Sequence, residues 1–138
     1  MIPPVNRILE TGLYVDSVAR SCEFYQHLFG FTRIVGDERF CALAVAEKQV
    51  LLLFLKGGTI APLIVEGGVI PGHDGFGQLH FAFGIDAEEL EPWAARIAAL
   101  GIPIESRVRW ERGGQSLYFR DPDNHLVELA TPGIWPVY

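Results

Sequence analysis

The chain has 138 residues, of which 49% are hydrophobic and 20% charged, with a formal charge of −6. This is the balance of one folded domain with a real core, and it excludes a disordered chain. The acidic charge argues against nucleic acid, whose phosphates need a basic patch, and the most apolar run, Val50–Leu55, is too short to span a bilayer.

The start, MIPPVNRILE, lacks the basic region and long apolar stretch of a secretion signal, so a cytoplasmic location is expected. Arg7–Val15 alternates like a strand, with Leu9, Leu13 and Val15 on one face and Glu10 and Gly12 on the other. Ser17 or Asp16 can cap a helix running to about Phe29, with Val18, Cys22, Tyr25 and Phe29 at helical spacing and Gly30 as its left-handed stop. His27 falls near the end of this helix, where a basic side chain suits the dipole. Strands are expected at Phe31–Val35, Phe40–Val45 and Gln49–Lys56. Cys22 and Cys41 form no CxxC motif, and nothing points to an oxidising compartment, so both read as small buried hydrophobes. Residues Gly57–Gly77 hold seven Gly and two Pro; they read as a linker too broken for helix or strand, with a lid as the second reading. His73 and Asp74 lie within it and read first as solvated loop residues, then as an added ligand if the segment covers a cavity.

The second half repeats the pattern. Gln78–Ile85 is a strand with Leu79, Phe81, Phe83 and Ile85 on one face and His80, Ala82 and Gly84 on the other. Asp86 and Glu89 have capping-box spacing for a helix whose buried stripe is Leu90, Trp93, Ala94, Ile97 and Leu100, ended by Gly101 and Pro103. Strands Ile104–Arg107, Gln115–Arg120 and Leu126–Thr131 follow, the last two joined by an Asp121-Pro122-Asp123-Asn124 turn. His125, next to the turn, reads as exposed. Gly101 follows Gly30 by 71 residues and His80 follows Glu10 by 70, so the chain is expected to contain two β-α-β-β-β modules.

Glu10, His80 and Glu128 each stand on a strand face otherwise made of small residues, with Ala130 beside Glu128. Surface carboxylates and a hydrogen-bonded core histidine are the plain readings of each alone. Their shared parity and the repeat offset favour an open site for Mn²⁺, Fe²⁺, Ni²⁺, Zn²⁺ or Mg²⁺. Ser116, Tyr118 and Arg120 share a face of a neighbouring strand, with Arg109, Trp110 and Arg112 just upstream. Tyr118 reads equally as core, and the arginines more simply as solvated charges.

The stretches ILETGLYVDSVARSCEFYQHLFGF, GQLHFAFGI and SLYFRDPDNHLVELATPGIW resemble the vicinal oxygen chelate superfamily, which includes glyoxalases, bleomycin-resistance proteins and extradiol dioxygenases. The resemblance implies an α+β fold: one domain over residues 1–138, with module one at about 7–56, a connector at about 57–77 and module two at about 78–131, their mixed sheet curving around a cavity. It implies that Glu10, His80 and Glu128 take the metal positions and that the protein is a homodimer. Ser116, Tyr118, Trp110 and Arg112 are then candidates for binding a substrate. Glu10 or Glu128 would serve as general base.

Departures from the family pattern narrow the expectation, the first being Glu10 where many dioxygenases and fosfomycin-resistance enzymes show His. Glyoxalase I usually draws a fourth ligand from the last strand of module one, where QVLLLFLK offers only Leu52 and its neighbours. Fosfomycin-resistance enzymes carry a hydroxyl residue where Gly12 stands, and a matching downstream arginine is missing. The expected function is a metal-dependent enzyme for a small molecule with adjacent oxygen donors, of lyase, isomerase or dioxygenase type, with the first two favoured because the first ligand is Glu. The rival is a non-catalytic, bleomycin-resistance-like protein that sequesters a drug or metabolite.

Overall fold

A computed structural model describes residues 1–138, which divide into two compact units, Met1–Phe76 and Gly77–Tyr138. In the first, β1 (Glu10–Val15), α1 (Val18–Phe29), β2 (Thr32–Gly36), β3 (Phe40–Val45) and β4 (Gln49–Leu55) build a mixed sheet of order β1-β4-β3-β2. Its β1–β4 pair is parallel and the other two are antiparallel. Alternation sends Leu13, Val15, Cys41, Leu43, Leu51 and Leu53 to one face, where all are buried with Val18, Cys22, Tyr25 and Leu28 of α1. Each large apolar side chain so buried contributes about 1.5–3 kcal/mol relative to exposure. Leu28 is buried and Phe29 half-buried, one position off the expected stripe. Ser17, and not Asp16, caps α1 by accepting from Arg20 N, and Gly30 ends it with a φ of 73°.

The connector contains more structure than its composition implies. β5 (Leu63–Val65) and β6 (Gly68–Ile70) form a small antiparallel hairpin. The β-branched residues on either side of the two-residue Glu66–Gly67 turn outweigh the abundance of Gly and Pro. The segment closes on itself, Thr59 Oγ1 donating to His73 O at 2.5 Å and Gly57 N to an Asp74 carboxylate oxygen at 3.0 Å, and packs on β1 through His73 and Tyr14. Gly75 permits this, since a Cβ there would lie 2.5 Å from the Tyr14 ring.

The second unit repeats the plan with β7 (His80–Gly84), α2 (Leu90–Ala99), β8 (Ile104–Arg109), β9 (Gln115–Arg120) and β10 (Leu126–Ala130), in the order β7-β10-β9-β8. Leu117, Phe119, Val127 and Leu129 are fully buried, and α2 buries Leu90, Ala94 and Ile97. The expected capping box is absent. Asp86 instead opens a 3₁₀ turn, Ala87–Glu89, without a side-chain cap. Pro92 explains the delay: it has no N–H to give to Glu88 O, so the α-helix begins where Pro92 falls in the first turn. Gly101, with a φ of 71°, closes α2 through Gly101 N to Ala98 O and Ile102 N to Ile97 O, a Schellman pair. No helix is long and apolar enough to cross a membrane.

The two registers match. Gly12 lies opposite Leu52 across β1–β4, and Ala82 lies opposite Glu128 across β7–β10. Glu10 opposes Val50 as His80 opposes Leu126. His80 is thus the counterpart of Glu10, and Leu52 the counterpart of Glu128.

Candidate metal centre

His80 and Glu128 are diagonal neighbours on the same face of β7 and β10, and the small Ala82 opposite Glu128 leaves their side chains room to meet. His80 Nε2 lies 3.3 Å from one Glu128 carboxylate oxygen, Oε2. His80 Nδ1 lies 3.0 Å from Leu126 O. A carbonyl only accepts, so Nδ1 carries the proton, and in the neutral ring Nε2 turns a lone pair toward the carboxylate. Two acceptor atoms at this separation call for a cation or a proton between them. A divalent ion fits: ligands about 2.0–2.2 Å from one first-row ion and near right angles lie roughly 3 Å apart. The backbone carbonyl behind the imidazole is the usual support of a ligating histidine.

Glu128 is 8% exposed, and its other oxygen, Oε1, is held by hydroxyls. Ser116 donates to it at 2.5 Å and Tyr118, directly opposite on β9, at 3.2 Å. Ser116 in turn accepts from Trp110 Nε1 at 2.8 Å. Burial, and next to it the Glu128 charge, raises the Tyr118 pKa, which keeps the phenol a donor. Three of the four residues expected beside a substrate are therefore grouped around Glu128. The fourth, Arg112, is exposed in the turn between β8 and β9.

Glu10 is exposed at the head of β1, on the wall of a cavity of about 400 Å³ in the first unit. Phe40, Leu52 and Phe54 form much of that wall, with Arg39 and His73 as polar members. His73 is held there by Tyr14, whose hydroxyl lies 2.7 Å from Nδ1, and its ring meets Phe54 edge-on at 4.6 Å between centroids. The solvated-loop reading of His73 is thus replaced, because the connector packs on the sheet face that carries Glu10. Within either unit, no group of three or more His, Cys, Asp or Glu comes together to hold a metal.

His125 corrects another expectation, being fully buried and not exposed. Its Nδ1 accepts from Leu79 N at 2.9 Å, and its own N–H donates to Asp121 Oδ1 at 2.9 Å. It pins the Asp121–Asn124 turn to the segment leading into β7, a structural task. Asn124 adopts the expected left-handed conformation, with a φ of 63°.

The profile of the Glyoxalase/Bleomycin resistance protein/Dioxygenase superfamily matches residues 7–129. Fosfomycin resistance protein FosX of Listeria monocytogenes is 49% identical over 128 residues, covering 91% of this chain and 89% of that protein. Metallothiol transferase FosB of Shouchella clausii is 30% identical over 129 residues, 92% of this chain and 81% of that protein. The solved structure of lactoylglutathione lyase from Agrobacterium tumefaciens is similar with a TM-score of 0.88 and 32% identity, covering 97% of this chain and 99% of that one. The chain therefore belongs to the glyoxalase/bleomycin resistance protein/dioxygenase superfamily and fits a metal-dependent, glyoxalase-like enzyme within it.

Proposed function

We propose that this protein binds one divalent ion through His80 and Glu128 and acts on a small organic molecule that presents two adjacent oxygens. The observation that carries this reading is His80 Nε2 facing Glu128 Oε2 across 3.3 Å, with Nδ1 backed by Leu126 O. Imidazole with carboxylates suits Mn²⁺, Fe²⁺, Ni²⁺ or Zn²⁺ ahead of Mg²⁺. When bound, such an ion supplies Lewis acidity toward a substrate oxygen. The chain's own residues divide the remaining work. Leu126 O fixes the His80 tautomer, and Ser116 and Tyr118 hold Glu128 in one orientation. Glu10, exposed and without such a hydroxyl clamp, is the carboxylate freer to take or return a proton.

Kinship with FosX makes fosfomycin the first substrate to test. Its phosphonate and epoxide supply the neighbouring oxygens. Glu10 in place of His, Gly12 and the missing downstream arginine are this chain's departures from the fosfomycin-resistance pattern. A Cβ at residue 12 would lie 3.2 Å from the Phe54 ring, so that position has little room for a hydroxyl residue. A homodimer is the assembly expected of the family. Manganese titration by calorimetry tests the ligand set. His80→Ala and Glu128→Ala are each expected to lower affinity at least 100-fold, and full affinity in both would sink the proposal. Metal-loaded protein that leaves fosfomycin intact, followed by phosphorus NMR, would exclude that substrate and leave other vicinal-oxygen compounds.

A further inference from the structure

Cys22 on α1 and Cys41 on β3 bring their sulfurs to 2.7 Å. Both are thiols, 5% and 1% exposed. Each arrives by its element's own periodicity: Cys22 sits one turn after Val18 on the buried stripe of α1, and Cys41 alternates with Leu43 on the inner face of β3. A cleft of about 710 Å³ opens onto the pair. Ala19 lines it from the helix, and Arg33, Asp37, Glu38 and Arg39 line it from the β2–β3 side.

We propose that Cys22 and Cys41 are an oxidation site, a dithiol that a small disulfide entering this cleft converts to an intramolecular Cys22–Cys41 bond. Two guanidiniums and two carboxylates around the opening suit a zwitterionic, amino-acid-derived disulfide such as cystine. Cys22, the more exposed residue of the pair, loses its proton to solvent and attacks the oxidant RSSR. The oxidant's S–S bond breaks, Cys22–S–SR forms, and the departing thiolate takes up a proton as RSH. Cys41 then attacks the Cys22 sulfur, losing its own proton, and a second RSH leaves. The protein gives up two electrons and two protons, and the oxidant gains both. Burial first, and then the neighbouring Cys22 thiol, pushes the Cys41 thiol up to about 12. Cys41 is therefore the resolving partner, and conversion of Cys22 to the mixed disulfide removes the thiol's share of that elevation. The new bond would tie α1 to the strand that begins at Phe40. Because Phe40 and the adjacent Arg39 wall the Glu10 cavity, the oxidation state of the pair would be felt there.

The test needs no substrate and does not depend on the proposed activity. Full-length folded protein is incubated with excess cystine, blocked with N-ethylmaleimide and digested with trypsin. The expected product joins peptide 21–33 to peptide 40–48, two hydrogens lighter than their sum. The oxidised protein should melt roughly 5–10 °C higher than the reduced one. Cys41→Ser should trap half-cystine on Cys22. Complete blocking of both thiols after exposure of the wild-type chain to cystine, or disulfides that join only separate chains, would overturn the proposal.

Discussion

Glu128 is a buried carboxylate whose two oxygens have separate tasks. Oε1 takes the Ser116 and Tyr118 hydroxyls, while Oε2 faces His80. Ser116→Ala would leave Oε1 with Tyr118 alone and Trp110 Nε1 without its acceptor. Loss of such outer support weakens metal binding 10–100-fold in comparable sites, so about a tenfold loss is expected here, measurable by chelator competition. The unpaired indole N–H and carboxylate oxygen should also cost about 1–3 kcal/mol in urea unfolding. Tyr118 adds a pH signature. Its folded pKa lies above the ordinary 10.0, chiefly through burial and secondarily through the Glu128 charge. The folded chain thus holds this proton more tightly than the unfolded one. Its stabilisation is complete below the ordinary value and is lost as pH rises through the folded one. Tyr118→Phe should therefore flatten the fall of melting temperature above pH 10; an unchanged slope would contradict this account.

At the scale of elements, the connector offers the clearest test. A Cβ on Gly75 would meet the Tyr14 ring at 2.5 Å, and Tyr14 is the residue that holds His73. Gly75→Ala should push the connector off the sheet at a cost of about 1–3 kcal/mol, read by chemical unfolding. Gly67→Ala, where a Cβ meets nothing within 4 Å, is the control. This packing was not legible in the sequence, because a count of Gly and Pro measures breakage and not close approach. What was legible depended on period and on local caps. Ser17, Gly30 and Gly101 mark helix ends through bonds to residues three to five positions away, and period two placed His80 and Glu128 on faces that meet. The burial of His125 is not visible locally, because its partner, Leu79 N, is 46 residues distant. The Trp110–Ser116–Glu128 chain was hidden for a related reason: parity puts Ser116 and Glu128 on one face, but says nothing of which hydroxyl reaches which oxygen.

At the scale of the whole molecule, the matched registers of the two sheets limit how many ions the chain can hold. Repetition supplies every first-module position with a second-module counterpart, so two copies of a two-ligand site were available to the fold. The second module fills its pair with His80 and Glu128, whereas the first has Glu10 with Leu52. An aliphatic side chain cannot ligate, and Leu52 instead joins Phe40 and Phe54 in the wall of the Glu10 cavity. The position that carries a candidate ligand in the second module thus carries an apolar wall residue of a cavity in the first. The expected stoichiometry is one divalent ion per chain, measured by elemental analysis after dialysis against manganese. An ion that binds only the folded state at 100 times its dissociation constant stabilises by about 2.7 kcal/mol, which for a chain of this size raises the melting temperature by several degrees. Chelator should reverse that shift in the wild type and have no effect on Glu128→Ala. Two ions per chain would mean that the first module ligates without a partner at Leu52, and the division of labour between the modules would have to be redrawn.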